Sequence, residues 1–385
     1  MTESPTDKLL GRLQRLLSQC RSELDGWHER NRRLLHRVAK VPLGVRYRSE
    51  FEEASAATLL VSLQLKAHVM TNIALGRLPV LADGERQERL REFVTAHAVD
   101  IRDALFERHL LGLGVLQLYT EADDVRLRHV PLQHVYVDPR HGFRSPTYVI
   151  RKILSDDGDR WEYFDHEIHA LFTADDIESL HPNILGEVPF YLIPNVMAGG
   201  LYPMGDGEIA LPQQLLLDEV RRTLLNSARR NQPLMEYRVG DIEEAELDAI
   251  ESGERLIIGT ASGQSLRPVA MPFTASEWTA LEQLARSDMD ALLGISDILR
   301  STLTSGEVTM GKMTATQALA EIALQNARLA ADSLEVECAL LRITEHWHRL
   351  VYQEPPRYAF IPRPENPLQT ALQAGSDIAG SIPVR

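Results

Sequence analysis

A chain of 385 residues with 44% hydrophobic and 25% charged side chains can bury a large core, which excludes a chain disordered throughout. Its formal charge of −14 argues against a surface that grips nucleic-acid phosphates as a whole. The two cysteines, Cys20 and Cys338, predict no disulfide framework and suit a reducing compartment, while the charged first 40 residues lack the apolar stretch of a secretory signal.

Residues 6–39 predict a helix with Leu9, Leu10, Leu13, Leu16 and Leu17 on one face, with Gly26 as a point of interruption. Its other face is rich in arginine, and residues 1–48 hold eleven Lys or Arg against five Asp or Glu. That face suits either solvent or an acidic neighbour or nucleic acid, so 1–48 is read as a basic helical arm. A second helix spans 50–76, closed by Gly76, and a third spans 85–111. The period then shortens. "VLQLYT", "VRLRHV", "HVYVD", "TYVIRKI", "RWEYF" and "EIHALF" are β-branched and aromatic segments separated by turns such as "DPRHG", so roughly 113–173 is expected to be antiparallel sheet.

Pro- and Gly-rich text from 182 to 207 leads into a helix at about 210–231, with Pro212 placed in its first turn. Arg221, Arg222, Arg229 and Arg230 recur on that helix at an eight-residue offset. Residues 233–275 are expected to form a small α/β insert. It contains the acidic run Asp241, Glu243, Glu244, Glu246, Asp248 and Glu251, which suits a solvated helix face or a docking surface. Thr274-Ala-Ser-Glu277 is a capping box that opens a returning helix to about 293, ending near Gly294. After a loop at 299–313, Thr314-Ala-Thr-Gln317 opens a helix of nearly forty residues. Ala315, Ile322, Leu329, Val336, Ile343 and Leu350 recur on it every seven positions, and Asn326 and Ser333 interrupt a second line. "RYAFIP" adds a short strand, and 364–385 is read as a tail. No run of about 18 apolar residues occurs, so no membrane span is expected.

The loop stretch "GEVTMGKM" matches G-x-x-x-x-G-K. A phosphate-binding P-loop follows a buried parallel strand and ends in Ser or Thr to hold magnesium. Here polar text precedes it, Met313 stands at the metal position, and the helix that follows is the last large element. A nucleotide-binding ATPase using 306–312 is therefore the weaker alternative. Thr304, Ser305, Gly306, Thr309, Gly311 and Lys312 instead make a small, polar loop with one mobile point charge, since Lys312 is the only lysine after Lys152. Asp165-His-Glu-Ile-His169 and the His346/His348 pair place their imidazoles on opposite sides, so no metal or other cofactor is expected. No nucleophile motif or acid/base pair stands out, and the chain does not read as an enzyme.

Four segments in this order resemble the portal (head-to-tail connector) proteins of tailed bacteriophages. They are "GLGVLQLYT" with "VPLQHVYVDPRHG", and "VPFYLIPNVMAGGLYPMGDGEIALPQQLLLDEVRRTLLNSARR" with its Tyr202-x-x-Gly205 step and Gln213-Gln214 pair. "SEWTALEQLARSDMDALLGISDIL" and "MTATQALAEIALQNARLAADSLEVE" complete the set. The resemblance covers roughly 50–352 and implies an α+β subunit that assembles as a ring, commonly of twelve copies. Its implied parts are an N-terminal arm (1–48), a β-rich wing (49–208), stem helices (209–232 and 276–298), a clip (233–275), a tunnel loop (299–313), a long helix (314–353) and a short strand and tail (354–385). It further implies a double-stranded DNA channel in a virion, assembled in the host cytoplasm, with the tunnel-loop residues facing DNA. The acidic run would then meet partners. Those implied are the terminase large subunit, major capsid protein and scaffold, and a head–tail adaptor. A head–tail adaptor or scaffold-like assembly protein is the other alternative.

Overall fold

The computed structural model describes residues 5–39, 50–121, 124–138, 143, 146–154, 159–197, 202–230, 235–236, 267–268, 275–294 and 315–359. The architecture is α+β. Four helices come first: α1 (Pro5–Ala39), α2 (Glu50–Gly76), α3 (Gly84–Ala96) and α4 (Ala98–Leu111). Eight strands follow: β1 (Leu113–Glu121), β2 (Asp124–His129), β3 (Val135–Val137), β4 (Tyr148–Ile153), β5 (Arg160–Asp165), β6 (Ile168–Phe172), β7 (Ile177–Pro182) and β8 (Phe190–Pro194). Then come α5 (Asp206–Arg230), the two-residue strands β9 (Met235–Glu236) and β10 (Arg267–Pro268), α6 (Ala275–Leu293) and α7 (Ala315–Tyr352).

Strands β1 to β8 make two antiparallel sheets rather than one. A three-stranded sheet has the order β2-β1-β8, and a five-stranded meander runs β3-β4-β5-β6-β7. The sequence expectation stopped near 173, before β7 and β8. Prolines at Pro189 and Pro194 hide β8, yet Phe190–Pro194 is buried at every position because it pairs with β1 on one side and packs against α7 on the other. A side-chain relay joins the sheets. Gln117 Oε1 of β1 accepts from Arg128 of β2 at 2.8 Å and from Arg151 of β4 at 2.9 Å, and Arg151 pairs with Glu162 of β5 at 2.8 Å.

The helix expected at 85–111 is two helices. His97, at φ −103° and ψ 17°, leaves the helical region, and its backbone N–H and its ring Nδ1–H both donate to the Phe93 carbonyl. No Gly or Pro marks the break, so nothing local announced it. Asp83 caps α3 by accepting from the backbone N–H of Glu85 at 2.9 Å. Gly26 does not interrupt α1, and α5 begins at Asp206, which puts Pro212 inside the helix and not at its first turn. Proline has no N–H to give to the Glu208 carbonyl, a cost tolerated only where packing outweighs it.

The α1 helix is part of the core. Leu13, Cys20, Leu24, Trp27 and Leu34 are buried, and Leu9, Leu10, Leu16 and Leu17 pack against the same cluster. The helix runs along β3, an edge strand of the five-stranded sheet. His28 Nε2 bonds the Val135 carbonyl at 3.1 Å, and Cys20 lies 3.3 Å from the Tyr148 hydroxyl, so the helix covers an edge that would otherwise be open. Trp27 stacks on Tyr202 at 5.5 Å. In α7 the expected line is apolar for a reason: Val336 and Ile343 are buried, and Leu350 packs beside them. Ser333 breaks the pattern because Arg77 donates to its hydroxyl at 2.9 Å and to Glu337 at 2.6 Å.

Candidate functional site

Two helices stand together as a stem. Leu217 and Val220 of α5 and Ala285, Met289 and Leu293 of α6 are buried between these helices and the layer behind them. Arg221 ties three elements, donating to Glu282 of α6 at 2.8 Å and to the Thr58 hydroxyl of α2 at 3.2 Å. Arg222 pairs with Glu219 one turn back on its own exposed face. Arg229 and Arg230 fall in the last turn of α5, with side chains outside the described residues. Beyond the stem, β9 and β10 pair antiparallel (Glu236 opposite Arg267), so the chain leaving α5 and the chain entering α6 are drawn together. The stem also exposes Leu215 (44%), Leu216 (41%), Leu284 (58%) and Leu292 (48%).

The foot of the stem is a buried charge hub. Asp206, the first residue of α5, receives Lys66 Nζ of α2 at 2.7 Å, His109 Nδ1 of α4 at 2.8 Å and Asn195 Nδ2 at 3.0 Å. Lys66 also reaches Asp332 of α7 at 3.1 Å. Arg108, 1% exposed, donates to the Pro194 carbonyl at 3.0 Å and to the Asp332 carbonyl at 3.3 Å. The hub therefore joins α2, α4, α5, α7 and the end of β8. Burial alone would raise the Asp206 carboxyl, but the His109 hydrogen bond and the Lys66 charge overcome it and hold it well below the usual carboxylate range. Burial pushes His109 down to about 4, against the opposing pull of Asp206, so His109 is neutral with its Nδ1–H donated to an ionised carboxylate.

His28 is likewise pushed down by burial to about 4. Both imidazoles are neutral in the fold and titrate near 6.5 when unfolded, so below 6.5 the unfolded chain binds protons that the folded chain refuses. Stability is therefore expected to fall as pH drops from 6.5 to 4, by up to about 3 kcal/mol for each histidine. Urea midpoints at pH 7 and pH 4.5 test this. The substitution His28→Gln, which keeps a donor for Val135, should reduce the loss.

Several residues singled out by sequence do not converge. His166 bonds the Gly186 carbonyl, whereas His169 stacks on Phe164 and bonds Glu162 at 3.1 Å. His346 lies between the Tyr191 hydroxyl (2.7 Å) and Glu187 (2.8 Å), while His348 meets the Glu354 carbonyl. Among the described residues no three His, Cys, Asp or Glu side chains gather in a metal-holding group. The loop residues Thr304, Ser305, Gly306, Thr309, Gly311 and Lys312 lie outside the described residues. So do the acidic Asp241, Glu243, Glu244, Glu246, Asp248 and Glu251. Sequence reasoning missed the hub. Its one signal was a lone lysine in an apolar helical run, Leu63-Gln-Leu-Lys66-Ala.

Among solved structures, the fold is similar to a chain of the "Virion of native gene transfer agent (GTA) particle". The identity is 14% over 88% of this chain and 91% of that chain, with a TM-score of 0.49. It is also similar to a chain of the "Neck of native GTA particle computed with C12 symmetry", at 14% identity over 87% and 88%, with a TM-score of 0.42. Both scores are below 0.5, too low to define function. No family model and no curated protein matches the chain.

Proposed function

We propose that the chain is a portal subunit: a ring-forming virion component through which double-stranded DNA is packaged, retained and released. One arrangement carries the reading. Helices α5 and α6 pack as a pair, are joined through a 44-residue insertion drawn together at its base by β9 and β10, and expose four leucines. Apolar side chains left on a helical pair in one subunit are suited to burial against further copies, as in a closed ring. In this reading the 299–313 loop lines the channel, and the insertion meets terminase and then an adaptor. The protein performs no chemistry of its own, and the packaging motor hydrolyses ATP. A ring of subunits carrying −14 each would repel the phosphate backbone and keep DNA centred and sliding.

Electron microscopy of the purified protein tests the ring. About a dozen subunits around a central hole support the proposal, and a compact monomer or dimer at high concentration overturns it. Lys312→Ala separates the channel role from the nucleotide alternative. The portal reading expects no ATP binding by the wild type, with rings intact but DNA packaging or retention altered in the variant. ATP binding abolished by the substitution would favour the ATPase. Reversing charge along 241–251 should weaken terminase or adaptor docking without dissolving the ring.

A further inference from the structure

A second apolar surface, apart from the leucines of α5 and α6, lies on α7. Leu334 (53% exposed), Cys338 and Leu341 (39%) recur there at steps of four and three, so they share one face. Glu345 continues that face one turn further on. The other side of α7 is already committed, with Val336, Ala339, Leu340, Ile343 and Trp347 buried. The chain leaves the described fold beside the open face. After α7 it reverses at Gln353 (φ 58°), and 357–359 then run along 80–82. The Ala82 N–H donates to the Arg357 carbonyl at 2.8 Å, and the Ala359 N–H donates to the Val80 carbonyl at 2.8 Å. Between them the Tyr358 hydroxyl donates to Glu345 at 3.4 Å. The last described residues are thus tied to α7 one turn from Leu341.

Residues 360–385 follow, outside the described residues, and their sequence carries a helix signature. Asn366 suits an N-cap, Pro367 the first helical position and Gly375 the position past the end, while Leu368, Ala371 and Leu372 fall on one face. We propose that 367–374 of the same chain docks as a short helix on the Leu334–Cys338–Leu341 face of α7, with Leu368, Ala371 and Leu372 against the two leucines. The lengths agree. The proline-bearing lead 360–366 spans roughly 20 Å when extended, and Leu334 lies roughly 17 Å along α7 from Glu345. Eight helical residues cover about 12 Å, and Leu334 to Leu341 is about 10 Å. The size of the face favours a tethered occupant. Stable contacts between separate molecules bury about 800 Å² per partner, and two leucines with a cysteine offer a fraction of that. A segment tied at Ala359 is instead held at an effective concentration of about millimolar, at which so small a contact is occupied. The inference concerns the chain itself and stands whether or not the ring is formed.

Cys338 reports on the face directly, since Cys20, the other cysteine, is buried. Maleimide labelling of Cys338 on the full chain should speed about two- to tenfold in Leu372→Glu, which places a charge in the contact. Thr370→Glu, on the opposite side of the same helical pattern, should label at the wild-type rate. Ala371→Cys keeps both leucines of the segment and tests proximity. Mild oxidation of dilute protein with copper phenanthroline should link it to Cys338 within one chain, giving a faster monomer band on a non-reducing gel. Equal labelling of wild type and Leu372→Glu overturns the proposal, as does equal acceleration by Thr370→Glu. Disulfide-linked dimers or ladders that persist on dilution also overturn it, because the segment then belongs on another copy.

Discussion

Replacing Gly205 with alanine is expected to destabilise the fold by about 3 kcal/mol. A Cβ at 205 would sit 2.3 Å from the Leu110 carbonyl oxygen, 2.6 Å from its carbon and 2.8 Å from the Gly112 nitrogen. All three are backbone atoms at the end of α4, so no side chain can rotate away to make room. Gly114 is under the same constraint from the other side, since its Cβ would lie 2.2 Å from the Ala104 carbonyl oxygen. The two glycines let β1 and the lead-in to α5 close on α4 from different directions. Gly112, at φ +102°, turns the chain between α4 and β1. Relief would require α4 to shift, and α4 carries Arg108 and His109 into the hub. Gly26→Ala is the control. It lies inside α1 with no heavy atom within 4 Å of its added Cβ, and should stabilise by up to about 1 kcal/mol. Urea unfolding of the three proteins checks the contrast. Equal midpoints for wild type and Gly205→Ala would mean that α4 and the α5 lead-in are not in contact.

Asp206→Ala should cost about 3–5 kcal/mol, the range for removing one member of a buried charge pair. The loss comes less from the missing attraction than from what remains. Among the described residues, Lys66 stays buried with Asp332 as its only ion-pair partner, and His109 keeps an Nδ1–H that has lost its acceptor. Glu208, two residues on, is the comparison. It pairs with Arg30 at 3.6 Å on a surface where Arg30 is half exposed, so Glu208→Ala should cost about 0–1 kcal/mol. Thermal unfolding at pH 7 distinguishes the two. A loss for Asp206→Ala no larger than for Glu208→Ala would mean that the hub is solvated and does not hold the stem foot.

The six early strands, the span of α2 and the length of α7 were legible because each depends on local pattern. Alternating β-branched residues made β1 to β6 readable, and a seven-residue apolar line marked α7. Helices α5 and α6 were legible in the same way, as two amphipathic segments. Two of the misplacements have a common cause. The early start of α5 at Asp206 and the burial of β8 both arise from partners distant in sequence. Phe190–Pro194 is a strand because β1 and α7 cover it, not because its own residues demand it. Asp206 belongs to the helix because Gly205 closes on Leu110 and the hub receives its carboxylate.

By itself, the sequence determined the α+β class, the helical start and strand-rich middle of the chain, the α5 and α6 helices and the place where a basic N-terminal helix begins. It also set the overall acidity and the small polar character of 299–313. Only the tertiary structure decided that α1 covers a sheet edge instead of reaching outward, that the strands divide into two sheets, and that Lys66, Arg108, His109, Asp206 and Asp332 meet. Periodicity reports which face of an element is apolar. It carries no information about which distant face that one will meet, and a buried charge becomes tolerable only when its counter-charge arrives from another element.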